Sequence, residues 1–213
     1  MRYLSVFNSD KEILQAISDI HLRGEWFDAD ITFSKGVFWY DIEKPKYMSD
    51  LEPLFDYVKQ DDSTSLSTYQ NNSLRSVVFD PPFLFRPRKS ENNDKISNRF
   101  SYFKSYDELI DMYRKSLDAI LSKLIKGGIL AFKCQDMTDG KFYCTHNDII
   151  NYAINCGYTL RDIIIKTSTH KLQRDAKQQN CVAKTHSYWL IFKKTSDAIT
   201  KSKWLDNLLG GVG

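Results

Sequence analysis

No run of about 18 apolar residues occurs in the sequence, so a membrane-spanning helix is not expected. No two cysteines form a CxxC pair; the four stand at 134, 144, 156 and 181. That spacing argues against a structural zinc site or a disulfide framework, and a metal is not expected. A strong charge imbalance is also missing, since the formal net charge is only +3. Internal repeats are absent, as is any sign of a large extra domain. The first residues, MRYLSVFNSDKEILQ, meet charges too early for a secretory signal. These features suit a reducing cytoplasm.

What remains is a chain of 213 residues, 42% hydrophobic, long enough for one sizeable core. One domain over 1–200 is expected, followed by a tail over 201–213 that ends LLGGVG. The modest charge is unevenly spread. From 86 to 104, the cations Arg86, Arg88, Lys89, Lys95, Arg99 and Lys104 face only Glu91 and Asp94. From 166 to 184, Lys166, Lys171, Arg174, Lys177 and Lys184 face only Asp175. Taken alone, two such stretches read as solvated loops, and any further meaning depends on what they flank.

Hydrophobic periodicity predicts alternating helices and strands. Ile13, Leu14, Ile17 and Ile20 mark a helix over 12–21, with Ser9 or Asp10 as its cap. Phe27 to Phe33 alternates like a strand, Lys46 to Ser49 suggests another, and Leu51 to Tyr57 a short helix. Ser76 to Phe79 reads as a strand covered on both faces. The clearest helix runs from Tyr106 to Ile125, opened by the capping box Ser105-x-x-Glu108 and ended by Gly127-Gly128. ILAFKC follows as a strand, then a helix from Asn147 to Cys156 closed by Gly157, a strand from Leu160 to Lys166, and a last strand from Ser187 to Lys193. The pattern is that of an α/β sheet, mostly parallel, with helices on both faces. Ligands in such sheets sit beyond the carboxyl ends of the strands, where SKG, DPPF and KCQD fall.

Asp80-Pro81-Pro82-Phe83 carries the chemistry. Each proline restricts the residue before it to extended conformations, and neither has an N–H. The result is a stiff corner that presents acceptors. The Asp80 carboxylate and the Pro81 carbonyl together suit a planar –NH2 group, and Phe83 supplies a face for a flat ring. Accepting both N–H groups of an exocyclic amine draws its lone pair out of the ring and favours attack on an electrophile. A proline turn that merely stops a strand is the bland alternative.

The tetrapeptide resembles the D/N/S-PP-Y/F/W signature of the S-adenosylmethionine-dependent amino methyltransferases, which modify adenine N6 or cytosine N4. Their cofactor segment, D-P-x-x-G-x-G-x-F, is matched from Asp30 to Phe38 at the aspartate, at Gly36 and at the phenylalanine. Ser34 replaces the first glycine, and Ile31 stands where proline is frequent. LIKGGILAFKCQD and HSYWLIFKK resemble later elements, so the likeness runs from about residue 5 to 195. It implies a Rossmann-like class I methyltransferase fold with a mostly parallel seven-stranded sheet and a C-terminal antiparallel strand. It implies S-adenosyl-L-methionine as cofactor, bound by Asp30, Thr32, Ser34, Gly36, Phe38, Asp50 and Asp62. In that scheme Asp30 meets the ammonium, Asp50 the ribose hydroxyls and Asp62 the adenine amine, with Asp61 an equally legible choice. The catalytic set is Asp80, Pro81, Pro82 and Phe83.

The family also implies a target nucleobase flipped out of a DNA duplex. The stretches over about 84–104 and 166–186 then become DNA clamps, through Arg86, Arg88, Lys89, Arg99, Lys104, Lys171, Arg174 and Lys177. Lys133 and Asp136 are candidates for lining the base pocket, with a structural role equally open. His186 reads as a satisfied histidine at a strand start. Aspartate at the first motif position points to adenine N6 in DNA. The alternatives are RNA, cytosine N4, or a non-catalytic nucleic-acid-binding subunit of the same fold, with a protein partner for target recognition.

Overall fold

The computed structural model describes residues 3–85, 103–168 and 182–195. In chain order the elements are β1 (Val6–Phe7), α1 (Asp10–His21), β2 (Ala29–Asp30), a 3-10 turn (Val37–Trp39), β3 (Tyr47–Asp50), β4 (Lys59–Gln60) and β5 (Leu74–Phe79). They continue with α2 (Tyr106–Lys123), β6 (Leu124–Cys134), the hairpin β7 (Met137–Asp139) and β8 (Lys141–Tyr143), α3 (Thr145–Cys156), β9 (Tyr158–Thr167) and β10 (His186–Lys194).

Eight strands make one sheet in the order β1-β9-β10-β6-β5-β2-β3-β4. All neighbours are parallel except β10, which runs antiparallel to β9 and β6. The sheet has eight strands rather than the expected seven because Val6–Phe7 adds to the outer edge of β9.

Both faces are covered, and alternation along the central strands divides the core in two. Val77, Phe79, Leu130, Phe132, Leu190 and Phe192 pack with Leu109, Tyr113, Leu117 and Ile120 of α2 and with Ile149 and Ala153 of α3. Val78, Ile129, Ala131, Trp189 and Ile191 point the other way, against Ile13, Leu14 and Ile17 of α1 and the rings of Phe27, Phe33 and Trp39. Residues 77–79 and 129–132 are buried on both sides, which is why their sequence is continuously apolar.

Several expected boundaries shift, for identifiable reasons. The strand expected over Phe27 to Phe33 is ladder-paired only at Ala29–Asp30; beyond it Ile31 N still donates to the Val78 carbonyl and Phe33 N to the Ser49 carbonyl, while Thr32 N turns to the Asp30 carboxylate and interrupts the ladder. Residues 51–57 form turns rather than a helix: Asp50 Oδ1 accepts Glu52 N at 2.9 Å and Pro53 follows. Helix α2 stops at Lys123, since Leu124 is already extended and its carbonyl accepts from Lys194 Nζ at 2.9 Å. Gly127 and Gly128 therefore lie inside β6. Gly128 sits where a Cβ would come within 3.2 Å of the Arg75 carbonyl, so it serves close strand approach rather than helix termination. The Ser105 cap holds, with Glu108 N donating to its hydroxyl at 3.2 Å, and Gly157 closes α3 in the left-handed region. No helix among the described residues is long and apolar enough to cross a membrane.

Candidate active site

Parallel pairing aligns Asp30 with Val78, so β2 and β5 end side by side and their following turns share one edge of the sheet. Thr32 joins them. Its N–H donates to Asp30 Oδ1 at 2.9 Å, and its hydroxyl accepts the N–H of Asp80 at 2.7 Å.

The corner at residues 80–83 is held from beneath. Tyr113, buried in α2, donates its hydroxyl to the Pro82 carbonyl at 2.6 Å. Among the described residues no donor reaches the Pro81 carbonyl. The Asp80 side chain is 26% exposed, yet its Oδ1 is buried and receives no hydrogen bond. An acceptor in that condition is costly unless something else supplies a donor. Burial pushes the Asp80 carboxyl up to about 6, against the pull of Lys133. Lys133 Nζ lies 4.0 Å from Asp80 Oδ2 and 3.0 Å from Asp10 Oδ1. Phe83 is half-buried.

The turn after β2 is built around a buried acid. Asp30 is 2% exposed, with Oδ1 on Thr32 N and Oδ2 accepting Trp39 Nε1 at 2.8 Å. Burial raises its carboxyl to about 7, and these two donors oppose that rise. Asp30 thus braces the turn from within. Gly36 has φ +66°, and a Cβ there would meet the Phe33 ring at 2.6 Å, so an aromatic ring occupies the space that a side chain would need. Ser34 adopts φ +48°, the left-handed conformation that glycine reaches freely, and its N–H donates to Asp50 Oδ2 at 2.7 Å. Serine at this position accordingly keeps the backbone shape that a glycine would give. Phe38 packs on Trp189 at 5.5 Å between centroids, with Lys133 Nζ 4.5 Å above its ring.

The parallel order, the antiparallel β10 between β9 and β6, and the turns gathered at the ends of β2, β3 and β5 form an arrangement that superposes on a known structure. NodS, an N-methyltransferase of Bradyrhizobium japonicum solved with S-adenosyl-L-homocysteine, superposes with a TM-score of 0.50 at 13% identity over 87% of each chain. The fold is that of the class I methyltransferases. A candidate DNA modification methylase of Thermus thermophilus, TTHA0409, aligns at 17% identity and a TM-score of 0.44 over 69% of this chain and 56% of its own. PvuII DNA methyltransferase, cytosine-N4-specific, aligns at 17% identity and 0.47 over 64% of this chain and 48% of its own. The chain thus spans little more than half the length of the Thermus protein. No family model matches the sequence, and no curated protein matches it.

Within this methyltransferase fold the acids after β3 and β4 differ in availability. Asp50, at the end of β3, spends one oxygen on Ser34 N and the other on Glu52 N. Asp61 is buried, and its two oxygens collect the N–H and hydroxyl groups of Ser67 and Thr68 and the N–H of Asp62. Those hydrogen bonds hold its carboxyl below the usual range although burial pushes the other way. Asp62 is exposed and accepts from Thr64 through Oδ1. Of the two, Asp62 is the one a ligand can reach.

Lys104 is exposed, and its N–H donates to Glu108 Oε2 at 2.8 Å. Arg86, Arg88, Lys89, Arg99, Lys171, Arg174 and Lys177 lie outside the described residues, as does the tail over 201–213. Lys133 is buried at 7% exposure and faces Asp10 and Asp80 on the α1 side of the sheet, opposite Tyr113. Asp136 begins the connection to the β7–β8 hairpin and accepts from the His146 N–H at 3.2 Å, from its Nδ1 at 2.8 Å and from Tyr188 at 3.3 Å. Asp136, Cys144 and His146 bring ligand-type atoms within 4.8 Å of one another, a grouping that the CxxC criterion overlooks. The three donors on Asp136 already account for its burial, and it acts as an acceptor for the first turn of α3. His186 opens β10 and faces the Tyr188 hydroxyl at 3.0 Å.

Sequence reasoning missed Trp39, Tyr113 and Asp10. Buried Trp and Tyr carry one polar atom that must find a partner, which was the available signal. The partner's identity was not.

Proposed function

We propose that the chain is an S-adenosyl-L-methionine-dependent methyltransferase acting on an exocyclic amine, N6 of adenine in DNA. The observation that carries this reading is the buried Asp80 Oδ1 without a donor, beside a Pro81 carbonyl that no described residue occupies. Two fixed acceptors on a proline-stiffened corner accommodate the two N–H groups of one planar amine. Asp80 and Pro81 orient that amine and stabilise the positive charge that grows on its nitrogen, Pro82 fixes the corner through Tyr113, and Phe83 offers its face to the base.

The residues present fit the cofactor. The turn from Asp30 to Phe38, with left-handed Ser34 and Gly36, lies next to the corner, and Asp50 and the accessible Asp62 follow the next two strands. Asp30, Thr32, Ser34, Gly36, Phe38, Asp50 and Asp62 would hold it, Asp30 by shaping the turn. When bound, the cofactor supplies a methyl group on a sulfonium. DNA contact through Arg86, Arg88, Lys89, Arg99, Lys104, Lys171, Arg174 and Lys177 completes the proposal, with aspartate at position 80 favouring adenine.

Incubation of the purified chain with methyl-labelled S-adenosyl-L-methionine and duplexes containing only adenine or only cytosine amines tests it. Label on N6 of adenine is expected, and Asp80→Ala should abolish transfer while cofactor binding persists. No transfer to DNA by the wild-type chain, or wild-type rates in Asp80→Ala, would overturn it.

A further inference from the structure

We propose that Lys133 is a positioning residue of the amine-binding corner, held back by Asp10 at a distance that keeps Asp80 ionised without occupying its acceptors. The inference rests on the reading of Asp80 above. Lys133 lies on β6 facing α1, its ammonium 4.5 Å from the Phe38 ring centre and 5.4 Å from that of Trp189. Only 9% of its side chain is exposed. An ammonium so enclosed is stable only when paired.

Its two carboxylate neighbours are treated differently. To Asp10 Oδ1 it makes a 3.0 Å charge-assisted hydrogen bond; Asp80 Oδ2 is 4.0 Å away, within Coulombic reach and beyond a hydrogen bond. A direct bridge to Oδ2 would tie the orientation of the carboxylate to Lys133, whereas a charge at 4.0 Å favours its ionised form without fixing it. Asp10 prevents this because it is anchored: Trp189 Nε1 donates to its Oδ1 at 3.1 Å, and Lys166 Nζ on β9 stands 3.5 Å from its Oδ2. Four elements thus meet to set one charge: α1 provides Asp10, β6 provides Lys133, β9 provides Lys166 and β10 provides Trp189.

The other groups facing Asp80 oppose its ionisation or are neutral. Asp30 at the end of β2 is an acid joined to it through Thr32, and Tyr113 of α2 and Cys134 of β6 carry a hydroxyl and a thiol that burial holds protonated. Burial raises the Asp80 carboxyl; Lys133 is the strongest influence lowering it, Lys166 adds to this, and Asp10 works against them.

The opposite signs of Lys133 and Asp10 make the arrangement testable without reference to turnover. The carbon-13 carboxyl resonance of Asp80, assigned with Asp80→Asn, is titrated in the full chain. In Lys133→Met the midpoint should rise by about one unit or more, the effect of removing a cation at this separation. In Asp10→Asn it should fall, and in Lys133→Arg it should return toward the wild-type value. The acidic limb of the methyl-transfer profile should move with each midpoint. An unchanged midpoint in folded Lys133→Met overturns the proposal. If that variant does not fold, an unchanged or raised midpoint in Asp10→Asn overturns it. Midpoints that shift as stated in a protein that transfers no methyl group would sustain the electrostatic role of Lys133 and reject the methyltransferase reading; the reverse pattern would do the opposite.

Discussion

The hydroxyl of Thr32 accepts the backbone N–H of Asp80 at 2.7 Å. Two turns separated by 48 residues of chain are joined there, and the same Thr32 is tied to the buried Asp30. Thr32→Val preserves shape and removes the acceptor, leaving the Asp80 N–H without its partner. A loss of about 1–3 kcal/mol in urea unfolding is expected. Methyl transfer should fall more than cofactor affinity does, since the corner moves while the turn after β2 stays braced by Trp39.

Tyr113→Phe tests the support beneath the corner. The variant loses only the hydroxyl that donates to the Pro82 carbonyl and leaves the ring packed against Phe132. Stability should drop by about 1–3 kcal/mol because a carbonyl loses its donor. If the corner must be rigid, kcat declines with little change in the dissociation constant of the cofactor, measured by calorimetry. Equal kcat in the variant would mean that the prolines suffice.

Trp39→Phe removes one of the two donors that favour the Asp30 carboxylate. The folded-state value, about 7, lies above the unfolded one of about 3.9, so the wild-type chain has the full contribution of this group below about pH 4 and loses it as pH rises toward 7. Without the indole N–H the carboxylate is harder to sustain, and the value climbs further. Destabilisation should therefore be greater at pH 8, about 1.5–3 kcal/mol, than at pH 5. Chemical denaturation at the two pH values checks the sign.

Asp80→Asn should trade activity for stability. The Asp80 carboxyl is raised to about 6, so the native state carries no penalty below about pH 4, accrues one as pH rises toward 6 and bears it in full above that value. Asparagine lifts the penalty, and Lys133 keeps Asp10 as its partner. The melting temperature of the variant should exceed that of wild type at pH 8, with a gain on the order of 1–3 kcal/mol that vanishes toward pH 4. Transfer should fall by about a hundredfold, the usual effect of losing one group that stabilises developing charge.

What lies close in sequence was legible in it. The apolar runs 77–79 and 129–132, the cap at Ser105, the stop at Gly157 and the elbow Asp80-Pro81-Pro82-Phe83 each follow from sterics and hydrogen bonding among near neighbours. Where local signals competed, they misled: Gly127-Gly128 reads as a helix stop, yet the carbonyl of Arg75 needs that space, and strand pairing sets it inside β6.

An alternating α/β chain, and a corner at the end of a buried strand whose two prolines carry no N–H, could be read directly from the residues, because period-2 burial and proline geometry act over a few positions. Which partners complete that corner depends on packing between distant elements. Tyr113 under Pro82, Thr32 on Asp80 and Lys133 between Asp10 and Asp80 join residues 31 to 123 positions apart, and such pairings exist only once the sheet has brought their strands and helices together.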